Sequence, residues 1–283
     1  MILINRGSEP AALAPVRTEW LAKLRKIAAT RDVTSDDIDG YRVVAADLWR
    51  AQHYKCCYCE GIFYQKYQDV EHLRPKARAD RSPGCKDTHG YFWLAYTWSN
   101  LLFACNLCNR TSKNDKFPLD NGSKALQDPE EPPGKEESLL VDPAVENGVR
   151  HIVFRPWRQG KCLTPTTGAT MKVFEVDRWQ AHPRRGSVRG RWSIDVFGIN
   201  HAELIELYLA HVRNNVSTCV DALRNAIRRR ANGRVEQEFS RARMLFTSNA
   251  VYAGLSYDAI KYFVPNSALE PFHLAWPDPK DVG

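Results

Sequence analysis

The sequence has 283 residues, of which 26% are charged and 43% are hydrophobic. A chain of this length and balance folds into one or two domains with a substantial core, which excludes a peptide hormone, a disordered protein and a bare DNA-binding module. No apolar run approaches the roughly 18 residues of a membrane span, and the N-terminus lacks the apolar stretch of a signal peptide. We therefore expect the protein in a reducing cytoplasm.

The net charge of +7 is concentrated in the middle of the chain. Residues 150–230 carry 15 Lys and Arg against 6 Asp and Glu, whereas 1–149 and 231–283 each have a net charge of −1. Concentrated positive charge attracts a nucleic-acid backbone through Coulomb attraction and counterion release. The same charge would also keep a surface solvated, so charge alone leaves both interpretations open.

Hydrophobic spacing predicts mostly helices, with short strands between them. Residues 16–52 show two helical stretches. Residues 91–98 form a predicted extended segment with large aromatic side chains on both faces, which favours core packing over base stacking. An acidic, proline-rich loop follows at 121–138.

The basic middle of the chain begins with two predicted short strands and ends in a helix. The strands, at 151–155 and near 171–174, form a connector. From Ala202 onward apolar residues recur every three or four positions and stop near Gly233, which predicts one long amphipathic helix. Such an apolar stripe usually packs into the protein's own core, and the alternative is a docking surface for a partner.

Eight cysteines in a cytosolic chain rarely form disulfides, so their spacing points to metal binding. Cys56 with Cys59, and Cys105 with Cys108, form two C-x-x-C pairs separated by 45 residues. Two such pairs close a tetrahedral four-thiolate site, which suits structural zinc because no position stays open for catalysis. Cys57 is an alternative ligand to Cys56. The other cysteines are isolated and are interpreted as core or surface residues: Cys85, Cys162 and Cys219.

Between the cysteine pairs the chain carries an acid followed by a histidine, and then an asparagine. In order, the motif is C-x-x-C, Glu-His-x-x-Pro at 71–75, Asn-Leu at 100–101 and C-x-x-C-Asn ending at Asn109. This order resembles the HNH endonucleases of the ββα-metal type that carry zinc knuckles. The remaining histidines lack such neighbours and have no assigned role: His53, His89, His151, His182, His201, His211 and His273.

The resemblance implies a role for each residue of the motif. His72 would be the general base, which suits histidine because its unperturbed pKa lies near working pH. Glu71 and the carbonyl oxygen of Asn109 would bind a catalytic divalent cation, and such hard oxygen ligands favour Mg²⁺ or Mn²⁺. Asn100 would bond loop backbone and hold the strand that carries the base. Because Asn109 replaces the usual final histidine, the sequence is an H-N-N variant.

Basic residues near the motif and in the basic middle are the expected contacts to nucleic acid. Four of them flank the motif and would bind phosphates, although each alone also fits a solvated charge: Arg74, Lys76, Arg110 and Lys113. Four more lie beside Trp179 and Trp192 and would track the phosphate backbone: Arg184, Arg185, Arg189 and Arg191. The expected target is DNA, with RNA as the alternative.

Further segments narrow the resemblance to the HNH family that occurs in retron systems and as the nuclease subunit of Septu anti-phage defence. These segments are 4–10, 70–76, 93–102, 116–119, 140–143 and 196–200. In that family the nuclease works with a coiled-coil, ABC-like ATPase. The resemblance therefore implies an ATPase partner here, or in a retron a reverse transcriptase with its DNA–RNA product.

The expected fold is α+β, a mostly helical chain around a small ββα-metal core that the four-cysteine zinc site staples. We expect three regions: an N-terminal helical segment at 1–52, the nuclease core with its zinc knuckles at 53–120, and a basic, helical region at 121–283. The third region would dock a partner and nucleic acid.

Three functions remain open at this point. The first is a metal-dependent endonuclease that hydrolyses phosphodiester bonds in a defence complex. The second is a stand-alone restriction-type or homing HNH nuclease, and the third is a zinc-stabilised nucleic-acid-binding module without catalysis. Glu71 favours a nuclease, because a carboxylate near a phosphate repels it unless a cation intervenes.

Overall fold

The computed structural model describes residues 1–82, 85–88, 90–164 and 168–283. His89, which has no assigned role, lies outside these ranges. None of the helices in these ranges combines the length and the hydrophobicity that a membrane span requires. The chain mixes helices with strands, which confirms the expected α+β class.

The helices and strands follow one another in this order along the described residues. The α-helices are α1 (Leu13–Ala28), α2 (Ala45–Ala51), α3 (Val188–Phe197), α4 (Ala202–His211), α5 (Ser217–Arg228), α6 (Asn232–Arg243), α7 (Ala253–Phe263) and α8 (Asn266–Leu269). The strands are β1 (Asp69–His72), β2 (Ala79–Ser82), β3 (Cys85–Asp87), β4 (Leu101–Ala104), β5 (Ile152–Arg158), β6 (Lys161–Cys162) and β7 (Arg178–Pro183). Antiparallel pairing joins β1 to β4, β2 to β3, and β5 to both β6 and β7.

The β1–β4 pair separates two hydrophobic cores. Successive residues of a strand point to opposite faces, so Val70, Leu101 and Phe103 pack against the N-terminal helices. Leu102 and Ala104, on the other face, belong to the larger core. The two helical stretches expected in 16–52 are present as α1 and α2, and they cover the first of these faces.

The aromatic segment 91–98 is not extended, although its core packing is as expected. Short 3-10 turns at Phe92–Leu94 and Trp98–Asn100 replace the predicted strand. A 3-10 turn has three residues per turn, so consecutive side chains point in different directions. Trp93, within the first turn, belongs to the larger core, and Tyr96, beyond its end, belongs to the N-terminal core.

The strand predicted near 171–174 is wrong, because this segment ends in a 3-10 turn at Val173–Glu175. The Glu175 carboxylate accepts the backbone N–H of Lys172 at 2.9 Å and closes the turn. The long partner strand of β5 is instead β7, and the two pair from Ile152↔Pro183 to Trp157↔Arg178. The strand expected at 151–155 is present as β5.

The long amphipathic helix expected after Ala202 is present as a continuous helical stretch. A π-helical turn at Val212–Val216 joins α4 to α5, and α6 follows. Five residues of the apolar stripe are fully buried in the larger core: Tyr208, Val212, Val216, Val220 and Leu223. Ile205, Leu209 and Ile227 are half-buried, so most of the stripe packs inside the protein.

Burial of His211 links stability to pH. Burial lowers the pKa of this imidazole to about 4 from 6.5, and its Nε2 lies 2.8 Å from Ser256 Oγ. Below pH 6.5 His211 becomes protonated in the unfolded chain, whereas in the folded protein it stays neutral until the pH approaches 4. We expect this group to lose up to about 3 kcal/mol of stabilisation between pH 6.5 and 4. Urea unfolding of His211→Gln across that range should show a smaller loss than the unsubstituted protein.

The matched control is His273→Asn, because this histidine is exposed and its positive φ suits asparagine. The control should keep the acid-side slope of the unsubstituted protein. An unchanged slope in His211→Gln would contradict the assignment.

Candidate functional site

Four buried cysteines form the metal-binding cluster that their spacing predicts. The Sγ atoms of Cys56, Cys59, Cys105 and Cys108 all lie within 4.8 Å of one another. The Sγ atoms of Cys59 and Cys105 are 3.9 Å apart. A tetrahedral zinc ion with Zn–S bonds of about 2.3 Å holds its sulfurs roughly 3.8 Å apart. The cluster therefore fits a structural zinc ion.

The structure selects Cys56 over Cys57 as the fourth ligand. Cys57 is buried but lies outside the cluster, and its backbone N–H donates to the carbonyl of Phe103 at 3.0 Å. Burial raises the pKa of the Cys57 thiol well above its usual range. Burial also opposes ionisation of Cys56, but hydrogen bonds from Cys105 and Cys108 bring its pKa well below the usual value. Cys56 is the ligand because its Sγ, unlike that of Cys57, lies with the sulfur atoms of Cys59, Cys105 and Cys108.

The first cysteine pair is tied to distant parts of the chain through Glu60. This residue takes a left-handed conformation with φ 64°, and its N–H donates to the Cys56 carbonyl at 3.1 Å. Its buried carboxylate accepts the Met1 ammonium and the Gly254 N–H, each at 3.0 Å. The knuckle is therefore anchored to the first residue and to α7.

Helix α3 packs directly on the candidate site. Phe197, at its end, stacks on Tyr58 with the ring centroids 3.8 Å apart. Gly198 has φ 64°, and a Cβ there would lie 2.2 Å from Ser112 Oγ. Only glycine allows this approach, which places α3 against the helical turn Leu107–Lys113 that follows the second cysteine pair.

Glu71 and His72 point to opposite faces of the β1–β4 pair. Glu71 lies opposite Leu102, and His72 opposite Leu101. Glu71 consequently faces Tyr58 and the cysteine cluster, whereas His72 faces the N-terminal helical segment.

His72 is held as a neutral imidazole. Its Nε2 lies 3.0 Å from the Ala95 carbonyl, and the ring of Tyr41 packs against it edge to face with centroids 4.6 Å apart. Burial, aided by the nearby charge of Lys76, lowers the pKa of His72 to about 3. With Nε2–H donating to the carbonyl, Nδ1 is left as the proton acceptor.

Glu71 is engaged by a buried lysine. Its Oε1 accepts the Tyr58 hydroxyl at 3.1 Å and lies 2.8 Å from Lys113 Nζ. Lys113 is fully buried and also donates to the His72 carbonyl at 3.0 Å. Burial raises the pKa of Glu71 although Lys113 opposes the shift. Lys113 therefore does not reach the surface where a phosphate contact was expected.

Asn100 holds the loop after β1 in the expected way. Its Oδ1 accepts the Arg74 N–H at 2.8 Å, and its Nδ2 donates to the Arg74 carbonyl at 3.0 Å and to the Leu94 carbonyl at 3.2 Å. All three partners are backbone atoms, so one buried side chain joins the loop after β1 to the turn before β4.

One of the two expected divalent-cation ligands, Glu71, is already engaged within the protein. Asn109 lies half-buried on the turn after β4. Lys113 and Tyr58 already occupy Oε1 of Glu71. As placed, Glu71 would bind a divalent cation through Oε1 only after the Lys113 ammonium leaves this oxygen.

The basic residues that flank the motif mostly form ion pairs within the protein. Arg74 is buried, with its Nε 2.7 Å from Glu136. Arg110 binds Asp69 through two contacts at 2.7 and 2.5 Å, although its side chain is 64% exposed. The internal pair argues against the phosphate contact predicted for Arg74, and the prediction for Arg110 stays open.

The four arginines predicted to contact phosphates at 184–191 lie in two different environments. Arg184 pairs with Asp258 at 2.6 Å, and Arg189 pairs with Glu146. Arg185 and Arg191 are exposed. The neighbouring aromatic residues differ as well, since Trp179 is fully buried and Trp192 half-buried. Arg184 and Arg189 thus hold the fold, and the phosphate prediction persists for the exposed pair.

Tyr41 belongs to the site although sequence reasoning missed it. Lys76 Nζ lies 3.0 Å from its hydroxyl and 4.3 Å from its ring centroid. Gly40 sets its position, because φ is 85° there and a Cβ would lie 2.8 Å from Trp20 Nε1. The available signal was the Asp-Gly turn directly before Tyr41. Because Tyr41 and His72 are far apart in the chain, the sequence alone did not reveal their contact.

Zinc content tests the cluster. Cys105→Ser should yield insoluble or zinc-free protein, because structural zinc contributes on the order of 10 kcal/mol or more of folding energy. Cys57→Ser is the matched control and should retain zinc, measured by elemental analysis. Soluble unsubstituted protein without zinc would refute the site, and zinc loss in the control would refute the choice of Cys56.

Unfolding measurements test the buried pair. Lys113→Met leaves the Glu71 carboxylate buried without its counter-charge, so we expect a loss of about 3–5 kcal/mol in urea unfolding at neutral pH. The double variant Lys113→Met/Glu71→Gln should recover much of this loss. If Lys113→Met unfolds at the same urea concentration as the unsubstituted protein, the pair does not contribute as argued.

Comparison with known proteins gives one informative relative. The chain is 32% identical over 216 residues to Septu protein PtuB of Bacillus mycoides (strain KBAB4). The matched region covers 73% of this chain and 65% of that protein. No family model matches the chain, and no solved structure matches it. The chain is therefore similar over most of its own sequence, and over about two thirds of the relative's length, to a protein named Septu protein PtuB.

Proposed function

We propose that this protein is an HNH-type endonuclease of a Septu-like anti-phage defence system that hydrolyses phosphodiester bonds in nucleic acid. The observation that carries the proposal is the antiparallel β1–β4 pair followed at once by the helical turn Leu107–Lys113. Glu71 and His72 lie at the end of β1, and the cysteine cluster brackets the unit. Strand, strand and helix in this order support a ββα-metal core.

His72 would act as the general base. Its imidazole is neutral at physiological pH, and the Ala95 carbonyl orients it through Nε2. Nδ1 would accept a proton from water as the water oxygen attacks phosphorus and the leaving oxygen departs. Asn100 supports this role by fixing the backbone just after β1.

A catalytic Mg²⁺ or Mn²⁺ remains part of the proposal. Such a cation would neutralise charge on the phosphate and on the leaving oxygen. For Glu71 and Asn109 to bind it, the contact between Lys113 and Glu71 would first have to open. The role of His72 does not depend on that change.

Similarity to a Septu protein favours a defence component over a stand-alone restriction-type or homing nuclease. We accordingly propose a coiled-coil, ABC-like ATPase as the partner, and a retron reverse transcriptase with its DNA–RNA product as the alternative partner. A non-catalytic zinc module is the competing function, and the loss of activity in a base variant distinguishes it.

Cleavage by a base variant tests the proposal. His72→Ala should lose activity by at least about 100-fold, the usual scale for a general base, while keeping zinc. Because the imidazole is buried, the unfolding midpoint should fall as well, so activity is compared where both proteins are folded. Single- and double-stranded DNA and RNA would be incubated with Mg²⁺ or Mn²⁺, with and without the co-expressed ATPase.

His201→Ala is the control, because this half-exposed side chain caps no backbone group of α4. It should cleave like the unsubstituted protein. A folded His72→Ala protein that cuts at the unsubstituted rate would rule out the base. No cleavage of any substrate under any condition would favour the non-catalytic module.

A further inference from the structure

The sheet formed by β6, β5 and β7 has one covered face and one open face. Its inward residues are buried against α4 and α7: Ile152, Phe154, Trp179 and Ala181. The alternate residues of β5 and β7 are half-buried or exposed: Val153, Arg155, Trp157, Arg178, Gln180 and His182. Since strand residues alternate between faces, these six form one surface, which we call the outer sheet face.

Aromatic and guanidinium groups lie together on the outer sheet face. Trp157 and Arg178 are direct cross-strand neighbours, and Arg178 Cζ lies 4.6 Å from the Trp157 ring centroid. The ring of His182 is nearly parallel to that of Trp157, at 14°, with centroids 6.1 Å apart. Trp157 Nε1 and His182 Nε2 are buried and have no hydrogen-bond partner in the described part of the chain. The two rings and the guanidinium group of Arg178 thus form one aromatic and cationic patch on this face.

Every charge on the outer sheet face is positive. Arg155 and Arg178 form no ion pair within the described ranges. The nearest acids along the chain lie just before β7. Of these, Glu175 is 4.0 Å from Arg158, and Asp177 accepts the Gln159 N–H. The charge of this face therefore complements a polyanion.

We infer that the outer sheet face binds single-stranded nucleic acid. Cations alone would attract any phosphate backbone, but aromatic and guanidinium planes on a sheet stack with bases, which only an unpaired strand exposes. The seven residues of β5 span roughly 23 Å, a length that suits a few nucleotides. The inference rests on the proposed function, because a nuclease must bind its substrate. It places the substrate-binding surface on β5 and β7, apart from His72 on β1.

This surface replaces the cluster at 184–191 as the principal basic interface. Arg184 and Arg189 are committed to ion pairs, whereas Arg155 and Arg178 are not. Arg185 lies two residues after β7 and is exposed, so it adds positive charge near that end of the strand.

Binding of labelled oligonucleotides tests the inference. Fluorescein-labelled oligo-dT and oligo-U of about 20 nucleotides would be titrated by anisotropy over a range of salt with Mg²⁺ and Mn²⁺ omitted. Arg155→Glu/Arg178→Glu should weaken binding at least about tenfold and lower the salt slope by between 1 and 2, roughly 0.7 per lost contact. Trp157→Ala should weaken binding roughly tenfold. Arg155→Glu alone, at an exposed position, keeps the test valid if Trp157→Ala fails to fold.

The matched control is Lys26→Glu/Arg229→Glu, which makes the same change in net charge at two exposed positions off the sheet. It should bind almost as tightly as the unsubstituted protein. Equal weakening in the control, equal competition by an unlabelled duplex, or no binding at all would overturn the inference. Binding is measured without cleavage, so a failure of the nuclease proposal in the His72→Ala assay remains a separate result.

Discussion

Closure of the four-cysteine cluster is the constraint on which the candidate site depends. It brings together two knuckles that 45 residues separate, and each knuckle carries part of the site. The first includes Tyr58, which donates to Glu71, and the second leads directly into the turn that contains Lys113. Four buried thiols attract one another only weakly, whereas a zinc ion binding four thiolates supplies folding energy outright. The metal would therefore determine whether the strands and the turn meet.

Charge inside the site is balanced almost entirely by internal partners. Glu71 faces Lys113, Asp69 faces Arg110, and a further pair joins Arg74 to Glu136. A buried ion pair adds little net stability, but removal of one partner leaves an uncompensated charge at high cost. Such pairs fix the geometry around β1 and leave little positive charge free for phosphate. We therefore assign the proposed recognition of a polyanion to the outer sheet face, where Arg155 and Arg178 form no ion pair within the described ranges.

Contacts across the two cores explain why distant segments belong to one functional unit. Phe197 stacks on Tyr58, and Gly198 allows close approach to Ser112, so the segment 196–200 supports the cysteine cluster although it lies some 90 residues beyond it in the chain. From the other direction, Tyr41 reaches His72 and Lys76 from the N-terminal helical segment. Substitutions in these segments would alter the site without touching the motif.

Local chemistry and short-range spacing are what the sequence by itself determined. The C-x-x-C pairs predicted the zinc cluster because knuckle geometry is set within four residues, and the apolar spacing after Ala202 predicted the helical stretch for the same reason. Asn100 was expected to bond loop backbone, and it does. Only the tertiary structure decided that Cys56 and not Cys57 joins the cluster. It also showed 3-10 turns in 91–98, and it showed that β7, not a strand near 171–174, pairs with β5. The burial of Lys113 against Glu71 and the pairing of Arg184 with Asp258 were likewise visible only in the tertiary structure. Packing between segments far apart in the chain determines the partner of a charged side chain, and a local sequence pattern does not contain that information.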